Sequence, residues 1–187
     1  CKYLKKQIFC VNQSNLPFLR HCHERCRWTR RCFRQGNDLS ATFDLGESMM
    51  VSAERQVLAA ASYLVSRFAT HDRDGYFACF APSASFIFHT HPDILPSREA
   101  YRTIWLEWEK ASKFKVVSCR SSDVSVNMLA ENVGLFTHKV ETCVSFDGVE
   151  QAVRERESIL FQKDELGRWL AVHEHLSALT QQQPEEP

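Results

Sequence analysis

"GRWLAVHEHLSALT" (residues 167–180) alternates side chains of opposite character, the period-two signature of a β-strand with two distinct faces. Alternation puts Leu170, Val172, Glu174 and Leu176 on one face, and Trp169, Ala171, His173, His175 and Ser177 on the other. Three runs of the same kind precede it: "FKVVSCRSSDVSVNML" (114–129), "NVGLFTHKVETCVSF" (132–146) and "EQAVRERESILFQK" (150–163). The middle two are joined across Asp147-Gly148, a hairpin signal, and the last two across Asp164 to Gly167. Four long strands joined by short turns make an antiparallel meander.

Upstream of Lys113 the period changes. Ser52 is an N-cap candidate with Glu54 in the first turn, and Val57, Ala61, Leu64, Val65 and Phe68 recur at helical spacing. Asp72 can cap a shorter helix carrying Tyr76, Phe77 and Phe80 and ended by Pro82. "SASFIFHTHP" (83–92) reads as a strand, with His89 and His91 sharing a face at its end, a second candidate pair where loops could open a pocket mouth. Pro96-Ser97 then starts a helix whose stripe of Tyr101, Ile104, Trp105 and Trp108 follows i, i+3, i+4, i+7. Helices first and an antiparallel meander afterwards predict an α+β domain, the helices covering one face of the sheet.

The same alternation picks out candidate chemistry. Phe136, Val140 and Val144 flank His138, and Val153, Ile159 and Phe161 flank Glu155 and Glu157. With these faces turned to the helices, His138, Glu157 and Glu174 are the polar groups on the concave side. Carboxylates and an imidazole among apolar walls must pair or shift their pKa values, and such sets mark functional sites. The expected site is an apolar pocket with a His-Glu set that takes and returns a proton, His138 as base or acid and Glu157 and Glu174 setting its charge. Tyr76, Phe80, Phe88, Tyr101, Trp105, Trp108, Phe136 and Ile159 are its candidate walls; the competing expectation is a satisfied ion pair and core packing without chemistry. A β-bulge would exchange the two faces.

His173 and His175 point together, but a metal needs a third ligand that the sequence does not single out, so no metal and no cofactor are expected. They suit a subunit interface or a hydrogen-bond network better. Gly-rich phosphate loops, nucleophile elbows and convincing Ser-His-Asp or Cys-His spacings are missing from the sequence.

The chain has 187 residues, 44% of them hydrophobic, enough for one well-buried core, and its 23 basic and 23 acidic residues leave no formal net charge. No global electrostatic attraction to nucleic acid or an anionic membrane follows. No stretch approaches the ~20 apolar residues of a membrane span, and a cytoplasmic location is expected. Residues 1–48 differ in composition: nine Lys and Arg against four Asp and Glu, and five of the eight cysteines. "HCHERCRWTRRC" (21–32) crowds zinc-type ligands without the paired spacing of zinc knuckles, and interleaves Arg with Trp28 and Phe33 as nucleic-acid arms do. The expectation is a disordered or non-native extension over 1–48, a single domain over 50–180, and a disordered tail over 181–187.

The element order, ending in Gly167, Trp169, His173, His175 and Ser177 as G-x-W-x-x-x-H-x-H-x-S, resembles the SnoaL-like and ketosteroid-isomerase-like branch of the nuclear transport factor 2-like superfamily. "FHTHPDILPSREAY" (88–101) and "VGLFTH" (133–138) are similar to uncharacterised bacterial members, and the closing motif also to the association domain of calmodulin-dependent kinase II. The resemblance covers residues 51–180. It implies a conical α+β barrel with an apolar pocket at its open end, in a homodimer packed through the sheet. It implies a small apolar ligand but not which function, since the fold hosts isomerases, cyclases, dehydratases and binding modules. The ketosteroid isomerase pattern of a catalytic Asp with a Tyr and a second, protonated Asp does not map onto this chain.

Overall fold

The computed structural model describes residues 52–179. Helix α1 (Ala53–Ala69) starts where the Ser52 side chain accepts from the Arg55 backbone N–H, and it buries Val57, Ala61 and Leu64. The short helix α2 (Arg73–Ala78) is capped by Asp72, whose carboxylate accepts from the Gly75 N–H. Strand β1 (Phe80–Phe88) and helix α3 (Arg98–Ser112, capped by Ser97) follow. The meander is β2 (Lys115–Ala130), β3 (Val133–Phe146), β4 (Val149–Lys163) and β5 (Trp169–Ala178). Asp147 and Gly148 take positive φ in the β3–β4 turn, as a two-residue hairpin of right-handed twist requires.

The five strands form one sheet in the order β1-β5-β4-β3-β2, and β1 lies parallel to β5 while every other pair is antiparallel. The fold is therefore α+β with a mixed sheet, the helices packed on its inner face.

Several expected placements change. Helix α2 ends at Ala78, so Phe80 opens β1 instead of riding the helix, and Pro82 sits within that strand rather than ending the helix. His89 and His91 lie beyond β1, in turn and bend, and share no strand face. That loop folds back so that Phe86 and Leu95 exchange backbone hydrogen bonds of 2.9 and 3.0 Å.

The face assignment of β5 also changes at one point. Leu160 pairs with His173 but the adjacent Phe161 pairs with Ala171, so Val172 is an extra residue in the ladder. Ala171 is consequently buried with Glu174 on the inner face, and Trp169 turns inward with it, its Nε1 donating to Gln56 Oε1 on α1 at 3.0 Å, where simple alternation put both on the outer face. His173 remains outside, with Ser85 Oγ at 2.9 Å from its Nδ1, and His175 is exposed.

The interior is aromatic. Trp105 is fully buried and packs with Tyr76 and Phe77 at ring separations of 5.7 Å each and with Phe114 at 5.0 Å. Tyr101 lies 4.9 Å from both Phe86 and Phe88, closing the β1 end of this cluster. Such edge-on and tilted pairs add to the apolar area that each ring removes from water.

Candidate active site

Strand register assembles the polar cluster. His138 stands directly opposite Glu157, Ile159 directly opposite Glu174, and Val140 opposite Glu155. The three glutamates thus share the inner face of neighbouring strands, with Glu157 and Glu174 diagonal to one another. His138, Glu155, Glu157 and Glu174 are all buried.

Their hydrogen bonds form one continuous series. The Tyr76 hydroxyl donates to Glu174 Oε2 at 2.9 Å, and Tyr101 contacts the Tyr76 hydroxyl from the aromatic side. Glu174 and Glu157 share a hydrogen bond, and Glu157 Oε2 in turn meets His138 Nε2. On the far side of the ring, His138 Nδ1 lies 2.8 Å from Ser121 Oγ on β2. The series runs from the centre of the core to an exposed serine.

Burial decides the protonation states. It pushes Glu174 well above the ordinary carboxylate value, and the neighbouring Glu157 charge adds to the effect. Burial also lifts Glu157, to about 7. Glu174 is therefore the protonated partner, donating to Glu157, and Glu157 is the one that ionises near neutrality. Burial lowers His138 to about 4, so its imidazole is neutral at pH 7. With Glu157 ionised, the Nε2–H donates to the carboxylate and the bare Nδ1 accepts from Ser121. Tyr76 and Tyr101 are raised well above the ordinary phenol value, first by burial and then by Glu174, so both are fixed donors.

A second pair lies beside the first. His89 Nε2 is 2.6 Å from Glu155 Oε1, partly open to solvent on the histidine side. Burial raises the Glu155 carboxyl, and the bond to His89 opposes that rise.

A cavity of about 250 Å³ opens between α1 and the β2–β3 pair, lined by Leu58, Val65, Cys119, Ser121, Val124 and Phe136, among others. Of the aromatic candidate walls, Phe136 lines it. Tyr76, Phe80, Tyr101, Trp105 and Ile159 pack as closed core, Phe88 joins them, and Trp108 is partly buried against it. The structure thus brings His138, Glu157 and Glu174 together as one set, and places the cavity on the Ser121 side of that set.

Ser121 and Glu155 were not picked out from the sequence as members of this set, and His89, expected to pair with His91, meets Glu155 instead. Glu155 carries the same alternation signal as Glu157, two residues away. Ser121 carries none, because β2 is serine-rich and its register is interrupted: Ser122 pairs with Lys139 and Ser125 with Thr137, so Asp123 and Val124 both stand against His138. Asp123 has a φ of 51°, and this bulge sits at the histidine.

Among the described residues no group of three metal-ligating side chains converges, and no helix is long and apolar enough to cross a membrane. The Cys/His-rich stretch at 21–32 and the expected extension and tail lie outside the described residues.

The SnoaL-like domain family matches residues 57–181. Among solved structures, a ketosteroid isomerase-like protein from Erwinia carotovora atroseptica superposes with a TM-score of 0.60 at 13% identity, over 71% of this chain and 100% of that one. A candidate calcium/calmodulin-dependent protein kinase II association domain from Xanthomonas campestris gives 0.56 at 19%, over 76% and 95%. A candidate scytalone dehydratase from Novosphingobium aromaticivorans gives 0.58 at 13%, over 67% and 83%. Identities this low show a shared fold alone. No curated protein matches the chain.

Proposed function

The chain belongs to the SnoaL-like domain family within the nuclear transport factor 2-like superfamily, and from that premise we propose that it binds a small apolar carbonyl compound and moves a proton on it, in the manner of an isomerase, cyclase or dehydratase. One observation carries this reading: the cavity beside α1 is lined by Ser121, whose hydroxyl is bonded to the buried His138–Glu157–Glu174 series. A ligand seated against Leu58, Val65 and Phe136 would present its polar end to Ser121. Ser121 Oγ would relay the proton between the ligand and His138 Nδ1, and Glu157 would stabilise the imidazolium formed. Protonated Glu174, held by Tyr76, would keep a second negative charge out of the core.

The cavity is smaller than the roughly 300–1,000 Å³ of drug-sized sites, so the ligand is compact. Among the described residues Cys79 and Cys119 are thiols, which suits a reducing compartment, and we place the protein in the cytoplasm. The outer sheet face, carrying His173, His175 and Ser158, would serve a homodimer.

Deuterium wash-in from D2O into the α-carbons of small uncharged ketones, followed by proton NMR, tests the chemistry. Exchange by the full chain that falls at least tenfold in His138→Gln with the fold retained supports proton transfer. Compound binding to the full chain without exchange of any ketone would favour a non-catalytic binding or assembly module. That second reading has its own support, since each buried polar group of the series has a partner and the aromatic core is filled by its own rings.

A further inference from the structure

We infer that Ser121, His138 and Glu157 form a nucleophile–base–acid relay, and that Ser121 takes acyl groups from small, uncharged carboxylic esters seated in the cavity beside α1. The inference rests on the proposed function only in placing the ligand in that cavity; the reaction is a different one.

The geometry meets the requirements in turn. A nucleophile needs its base within hydrogen-bond reach, and Ser121 Oγ is 2.8 Å from His138 Nδ1. The base needs an orienting acid on its other nitrogen, and Glu157 Oε2 holds Nε2. The relay is recognised by these roles and not by sequence order. It uses the imidazole nitrogens in the reverse of the familiar sense, which leaves the proton inventory unchanged.

Access is asymmetric in the useful direction: the His138 side chain is fully buried, whereas Ser121 is exposed and lines the cavity. The β2 register is interrupted beside this relay. Asp123 and Val124 stand against the single residue His138, and an extra strand residue leaves backbone polar groups out of the ladder. Cys119, also on the cavity, is not the nucleophile, because burial pushes its thiol up to about 12.

The step balances without a redox partner. Ser121 Oγ bonds to the ester carbonyl carbon while its proton passes to His138 Nδ1, and the imidazolium is stabilised by Glu157. The tetrahedral adduct collapses, the bond to the alcohol oxygen breaks, and the alcohol leaves with the Nδ1 proton. Water then repeats the sequence, giving its proton to Nδ1 and releasing the carboxylic acid and free Ser121.

The test is covalent labelling of the full chain with an alkyl fluorophosphonate, in which Ser121 would displace fluoride from phosphorus. Intact mass and peptide mapping should show one adduct per chain, on Ser121, and none after thermal unfolding or in Ser121→Ala. Labelling of Glu157→Gln should be at least tenfold slower, and the native rate should rise with pH through about 7 as Glu157 ionises. Ser121→Ala alters a cavity surface rather than the packed core, so the result does not hinge on a buried substitution. Labelling on Ser62 or Ser66 instead, equal labelling of the unfolded chain, or no adduct at all overturns the inference. An unlabelled Ser121 with His138-dependent ketone exchange intact overturns the nucleophile alone. A Ser121 adduct without such exchange overturns proton transfer and leaves the nucleophile standing.

Discussion

The Tyr76 hydroxyl and the Glu174 carboxyl, 98 residues apart in sequence, meet at 2.9 Å in the middle of the core. The contact links α2 to β5 and gives a protonated, buried carboxyl the one neutral donor it needs. Tyr76→Phe removes that donor with almost no change in ring packing. The expected cost is about 1–3 kcal/mol, the penalty for a buried acceptor losing its partner. Urea unfolding followed by circular dichroism measures it, and an unchanged midpoint would show that Glu174 finds another partner.

Stability should fall as pH rises above about 6.5. The folded Glu174 and Glu157 carboxyls are both raised, so the native state holds protons that the unfolded chain has released above 4.5, and that stabilisation is lost as pH climbs toward the folded values. Lowered His138 works in the opposite sense, its contribution being lost below 6.5 as pH falls toward about 4. Between 4.5 and 6.5 lowered His138, with His71 and His173 lowered in the same way, opposes the raised carboxyls, and above 6.5 the carboxyls are left unopposed by these histidines. Thermal melts from pH 6 to 9 should show Tm decreasing, and Glu174→Gln, whose amide keeps both hydrogen bonds without ionising, should flatten that slope. A wild-type Tm that rises with pH would contradict the assigned protonation of Glu174.

Gly134 on β3 lets α1 approach the sheet. A Cβ there would meet Val57 Cγ2 at 2.8 Å and Met128 Sδ at 3.3 Å, and Val57 is fully buried. Gly134→Ala should destabilise by about 1–3 kcal/mol, as overpacking does, and should disturb the cavity that α1 roofs. Denaturant unfolding gives the first effect, and compound binding the second. An alanine tolerated without cost would mean that α1 shifts freely on the sheet.

Glu109 gathers three donors at the end of α3: Arg73 Nη1 at 2.6 Å, Trp105 Nε1 at 2.7 Å and His71 Nε2 at 3.3 Å. His71 also accepts the Val116 backbone N–H at its Nδ1, at 3.1 Å, which fixes its tautomer and ties the α1–α2 turn to β2. Glu109→Ala should cost about 2–3 kcal/mol by stranding the indole and guanidinium donors together. Trp105 emission should shift to longer wavelength as water reaches the ring. Loss of stability without that shift would assign the effect to the Arg73 ion pair alone.

The meander, both of its later turns and the inward set on β3 and β4 were legible in the sequence, because alternation and turn chemistry are local. Asp147-Gly148 needed only its two residues to announce a hairpin, and Phe136, His138 and Val140 announced their shared face by spacing alone. The helical stripe of Tyr101 and Trp105 was equally plain, though its destination as closed core rather than ligand wall was not. A residue's periodicity says which way it points, and says nothing of whether the space it points into is already filled.

By itself, then, the sequence determined the element order, the α+β class and the buried company of His138, Glu157 and Glu174. Only the tertiary structure decided that β1 joins the sheet parallel to β5, that Val172 is an extra residue which turns Ala171 inward, and that Ser121, paired with Val140, reaches His138 diagonally beside the bulge at Asp123 and Val124. Those outcomes depend on which strands pair and in what register. Register is set by the best joint burial of all five strands against the helices, a sum no single stretch of sequence contains.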